Sequence, residues 1–100
     1  MEHKRENILM VKSVAFSIRI IKLYKYLCEQ KKEYVLSKQL LRSSTAVGAL
    51  ISESEFAQSK PDFINKLHIA VKEANESNYW LLLLSETEYI TKTEHESLKT

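Results

Sequence analysis

Residues 59–87 read SKPDFINKLHIAVKEANESNYWLLLLSET, and this stretch decides the fold. Phe63, Ile64, Leu67, Ala70, Val71, Ala74, Leu81 and Leu84 recur at steps of three and four. That spacing gathers side chains on one side of an α-helix. Lys66, Lys72, Glu73 and Glu76 fall on the other faces. Ser59 followed three residues later by Asp62 resembles a capping box, and Pro61 suits a first helical turn, where its missing N–H costs nothing. The pattern predicts one helix from this break to about Thr87, far beyond the globular mean of about twelve residues. A helix of that length calls for a bundle.

Composition agrees. The 100 residues include one glycine, one proline and one cysteine, with 44% hydrophobic and 28% charged. An all-β domain, which needs turn residues throughout, is excluded. So is disorder, because this much apolar surface offsets chain entropy when buried. One cysteine makes no intramolecular disulfide, which fits a reducing cytoplasm, the expected location. The charged start Met1–Glu6 and the breaks at Lys12, Ser13 and Arg19 do not read as a secretory signal. The longest apolar run, Tyr79 to Leu84, is six residues, against the roughly twenty of a membrane span. No membrane partner is expected.

Working outward, the spacing predicts a first helix over Asn7–Lys32, with Asn7 as N-cap. It carries two apolar stripes: Val11, Val14, Ala15, Ile18, Ile21 and Cys28 on one, Phe16, Ile20, Leu23 and Leu27 on the other. An outer helix of a monomer needs one, so this helix is expected to contact two neighbours. A second helix is expected over Ser37–Ala57, capped by Ser37, with Leu40, Leu41, Val47, Leu50 and Ile51 on its apolar face. Its middle, Ser43 to Ala49, is almost all small residues, and Gly48 there predicts close helix packing or a local kink. Ile90–Thr100 starts a fourth helix, capped by Thr91 or Thr93, that is short or cut off at Thr100. The expected fold is all-α, an antiparallel up-down four-helix bundle forming a single domain over residues 1–100.

Several stretches resemble the small four-helix-bundle family known as the 23S rRNA intervening-sequence proteins. They are Phe16, Ser37–Ser43, Val47–Ala49, Asp62–Leu67, Ile69–Ala70, Lys72–Ala74 and Tyr79–Leu81, in order across roughly residues 10–90. The resemblance implies a bundle that assembles into a ring-like homopentamer, with no catalytic residues. The fold is also similar to the accessory protein of diversity-generating retroelements, which binds nucleic acid and a reverse transcriptase. Two positions depart from the family pattern. Leu50 replaces a polar residue, and Ser44 stands where a second glycine is common.

Charge is uneven. Residues 1–50 hold ten Lys/Arg and four Asp/Glu, residues 51–100 five and nine. Lys12, Arg19 and Lys22 share one side of the first helix, and Lys38 and Arg42 lie one turn apart on the second. These five are the candidate nucleic-acid contacts, neutralising phosphates. The plain alternative is a solvated face paired with Glu53, Glu55, Glu73 and Glu76. Tyr24 and Tyr26, flanking Lys25, read as base-stacking or as interface packing. Phe16, Gly48, Phe63, Leu67, Tyr79 and Trp80 are expected at bundle or subunit interfaces.

Enzyme chemistry finds no footing. A di-iron bundle site needs Glu-x-x-His on two helices, and no such spacing occurs. His68 reads as a packed or partly exposed imidazole, and His3 and His95 lie near the termini. Cys28, without a nearby His or second Cys, reads as a small hydrophobe. One glycine cannot build a phosphate loop. No metal or cofactor is expected. The expected function is a non-catalytic homo-oligomer binding RNA or DNA. The alternative is a protein-interaction scaffold or accessory subunit for a nucleic-acid enzyme such as a reverse transcriptase.

Overall fold

The computed structural model describes residues 2–99, with side chains from Ile8 onward. Four helices and no strand occur among them: α1 Glu2–Lys31, α2 Leu36–Ser54, α3 Lys60–Glu86 and α4 Lys92–Leu98. They form a bundle 43 Å long and about 20 Å across. α2 is central and packs along both α1 and α3, while α4 lies against α3 near its C-terminal end. Ile20, Leu27, Leu40, Leu81, Leu84, Ile90 and Leu98 form one buried cluster, flanked by Phe16, Leu23, Leu36, Leu41, Trp80 and Tyr89.

The helix ends differ from expectation in instructive ways. α1 is already helical at Glu2, so Asn7 is not its cap; the Asn7 and His3 side chains lie outside the described ones. The positive-φ residue Lys32 (φ 56°) closes α1, with the Glu33 N–H donating to the Leu27 carbonyl at 2.9 Å. Glu88 (φ 68°) does the same for α3, where the Tyr89 N–H donates to the Leu84 carbonyl at 2.9 Å. Glycine usually takes this left-handed position; the only one in this chain lies elsewhere.

Ser37 is not the cap of α2. The Glu33 carboxylate accepts from the N–H groups of Val35, Leu36 and Ser37 at 3.1, 2.9 and 2.7 Å. Ser37, fully buried, donates its hydroxyl back to the Glu33 carbonyl at 2.8 Å. α2 ends at Ser54, and Glu55 to Ala57 continue as tighter i→i−3 turns. Ser59 caps α3 by accepting from the Asp62 N–H at 3.2 Å, with Pro61 in the first turn. The reciprocal half of the expected box goes elsewhere, since the Asp62 carboxylate accepts from the Gln58 N–H. Thr91 caps α4 in a complete capping box with Glu94.

Packing sorts the apolar stripes. On α1 the Phe16–Ile20–Leu23–Leu27 stripe takes the core. Val11, Val14, Ile18 and Ile21 remain exposed. On α3, Ile64 and Val71 also stay exposed rather than joining the core. Gly48 faces Ser13 and Ser17, and a methyl there would meet their hydroxyl oxygens at 3.5 and 3.6 Å. That is ordinary contact, so close approach does not require the glycine.

Candidate nucleic-acid interface

The five expected cations divide into two groups. Lys12, Lys22 and Lys38 are exposed and have no partner among the described residues. The two arginines are engaged within the molecule. Arg19 reaches from α1 to the last turn of α4, donating to the Ser97 carbonyl at 3.2 Å and the Ser97 hydroxyl at 2.8 Å. Arg42 crosses from α2 to α3, bonding Glu73 at 3.2 Å and Glu76 at 2.6 Å. Glu76 also accepts from the Trp80 indole N–H at 3.2 Å. Hydrogen bonds from Arg42 and then Trp80 hold the Glu76 carboxyl below its usual range, and donating to Glu76 and then Glu73 raises the pKa of the Arg42 guanidinium. Arg42 is half exposed, so solvent screening leaves this pair a modest contribution to stability.

For Arg42, then, the plain alternative holds: it pairs with two of the expected glutamates. Glu53 instead pairs with Lys66 at 3.4 Å. Arg19 follows neither reading, because its partner is a serine on α4. Lys12 and Lys22 lie about a quarter turn apart on α1. Lys38 stands on α2, so the set spans two helices.

Aromatic groups near the cations are partly occupied. Tyr24 hydrogen-bonds Cys28, the main cause of its raised pKa, and the Cys28 thiol lies 3.9 Å from the Ser37 hydroxyl. Tyr26 is exposed, with the Lys31 ammonium 6.0 Å from its ring centroid. An open cleft of about 550 Å³ at the α3–α4 bend is lined by Tyr26, Lys31, Tyr89 and Lys92, but also by Glu86 and Glu88. Its mixed charge favours neither an anion nor a cation.

The interface candidates also divide. Phe16 and Trp80 pack against the core, Phe63 and Leu67 are half-buried, and Gly48 lies at the α1–α2 contact. Tyr79 is 53% exposed, its ring edge-on to Trp80 at 5.2 Å. His68 is exposed rather than packed. No three metal-ligating side chains come together among the described residues, and no described helix is long and apolar enough to cross a membrane.

Glu33 and Ser77 were the polar residues that sequence reasoning missed. A carboxylate four residues ahead of a buried serine was the only signal for the first. The second shows itself only across the α2–α3 contact, where Ser77 bonds Ser43 and Ser44 at 2.8 and 3.0 Å.

Comparison with known proteins matches residues 5–100 to the family described as 23S rRNA-intervening sequence protein. A similar solved structure is a protein of unknown function from the S23 ribosomal protein family of Bacteroides thetaiotaomicron VPI-5482. It is 56% identical with a TM-score of 0.92, over 94% of this chain and 84% of that one. No curated protein matches this chain.

Proposed function

The chain belongs to the 23S rRNA-intervening sequence protein family, and from that premise we propose that it is a non-catalytic cytoplasmic homo-oligomer that binds RNA or DNA through phosphate. Lys12, Lys22 and Lys38 make the contacts. The observation that carries this is their exposure without intramolecular partners, while Arg19 and Arg42 are already engaged. Ammonium groups on flexible stems neutralise phosphates without reading bases. Repetition around a ring, of five copies as the family resemblance implies, would multiply three weak contacts into a continuous basic track.

Gel shifts with structured RNA and duplex DNA test this. Binding should appear at low salt, fall steeply as salt rises and show little sequence preference. The triple variant Lys12→Ala, Lys22→Ala, Lys38→Ala should bind more weakly and with a shallower salt slope. No shift by the wild type at low salt removes the nucleic-acid half of the proposal.

A second reading, a scaffold or accessory subunit for a nucleic-acid enzyme, draws on the exposed apolar groups. Phe56, 81% exposed in the α2–α3 turn, is the most exposed of these among the described residues. Association through such groups would persist at salt concentrations that release phosphate.

A further inference from the structure

The cleft at the α3–α4 bend is shared by the end of α1, the end of α3, the loop after it and the start of α4. Its volume of about 550 Å³ falls in the range of roughly 300–1,000 Å³ usual for small-ligand sites. Tyr26 of α1 and Tyr89 of the loop both line it. Tyr89 is half-buried and packed against the core cluster, which fixes its ring. Tyr26 is 42% exposed, and the Lys31 ammonium over its ring, 6.0 Å from the centroid, stands at the edge of cation–π range. That contact yields easily to a stacking ring.

Charge around the cleft cancels. Glu94 is turned to the Thr91 N–H in the capping box. The Glu86 and Glu88 carboxylates remain against the Lys31 and Lys92 ammoniums, and none of these four forms an ion pair among the described residues. Carboxylates accept and ammoniums donate, while a tyrosine hydroxyl does either. A neutral ring with donors and acceptors on its edge suits such a site better than an ion.

The approach to the cleft is basic. Between Glu6 and Glu29, α1 has four cations and no carboxylate. Lys22 lies four residues before Tyr26, one turn away on the same side of the helix. An occupant therefore extends from a neutral head toward ammonium groups. A neutral, edge-polar aromatic ring tethered to an anionic backbone is a nucleotide. Several cations along α1 favour a run of phosphates over a single one.

We propose that the cleft takes an unpaired base of a bound RNA or DNA strand, stacked on Tyr26, with the adjoining phosphate at Lys22. The proposal rests on the nucleic-acid half of the function above and deepens it. Exposed lysines hold the backbone, and the cleft favours a strand with a base free to leave its stack. Stacking on a tyrosine face tolerates any base, so no sequence preference follows. Tyr24, on the other side of Lys25, takes no part, since it is half-buried and bonded to Cys28.

Binding of the full chain to three RNA hairpins at low salt tests this. One hairpin is fully paired, one carries a single unpaired adenine, and one carries an abasic residue at that position. The last two have equal charge, so they differ only in the base. The wild type should bind the unpaired-adenine hairpin roughly tenfold more tightly than the abasic one. Tyr26→Ala should lose that preference while binding the paired hairpin as the wild type does, and Tyr26→Trp should keep it. Tyr26 is exposed, so far-UV circular dichroism should match the wild type in both variants. Equal binding of the unpaired-adenine and abasic hairpins, or a preference that survives Tyr26→Ala, overturns the cleft assignment and leaves the phosphate reading standing. Adenosine monophosphate that displaces the unpaired-adenine hairpin at equal concentration overturns the strand as the occupant. A wild type that binds no hairpin overturns both.

Discussion

The Glu33 carboxylate gathers three backbone N–H groups from two residues ahead of the Val35 boundary position. Burial alone would raise its pKa, but the bonds from Leu36, Ser37 and Val35 outweigh burial and hold it below the ordinary 4.5. A folded pKa below the unfolded one means the stabilisation is complete above the unfolded value and is lost as pH falls through the folded one. Glu33→Gln should cost about 1–2 kcal/mol near pH 7. In urea unfolding the gap from wild type should narrow as pH falls below the ordinary 4.5; a constant gap would show that charge is not what Glu33 contributes. Gly48 makes the opposite kind of prediction. Since a methyl finds only ordinary contacts there, Gly48→Ala should stabilise by about 1 kcal/mol through helix propensity. A lower Tm would mean that α1 and α2 cannot yield even slightly. The sequence showed that Gly48 lies inside a helix, but not how much room surrounds it, because Ser13 and Ser17 come from thirty or more residues away.

Between elements, α2 and α3 meet through hydroxyl groups as well as apolar contacts. Ser77 lies 2.8 Å from the Ser43 hydroxyl, accepts from Ser44 at 3.0 Å and can donate to the Glu73 carbonyl at 3.0 Å. Ser77→Ala strands the buried Ser44 hydroxyl and should cost about 1–3 kcal/mol. Replacing Ser43, Ser44 and Ser77 together by alanine leaves no orphan, so urea unfolding should show much of that loss recovered. A triple variant worse than the single one would make the network itself a net stabiliser. Helix existence was legible here because three- and four-residue spacing survives without tertiary knowledge. Helix ends were less so. The end of α2 moved from Ala57 to Ser54 because the chain tightens into i→i−3 bonds, which side-chain pattern does not register.

For the whole molecule, the all-α bundle could be read from periodicity and from the scarcity of glycine and proline. The two stripes of α1 could be read too, but not which one would face the core. That choice depends on Leu81 and Leu84, far along the chain, joining Ile20 and Leu27 in one buried cluster. The candidate site was half legible for the same reason. Lys12, Lys22 and Lys38 stayed free as charge counting suggests, whereas Arg42 found Glu73 and Glu76 more than thirty positions away and Arg19 found Ser97 seventy-eight away. The Arg19 contact couples two processes. α4 is a seven-residue helix held by Ile90 at one end and by Leu98 and the Arg19 fork at the other. A phosphate would seek the same guanidinium, so an anion that captures Arg19 loosens α4, and a docked α4 weakens that anion's binding by the same factor, as reciprocal linkage requires.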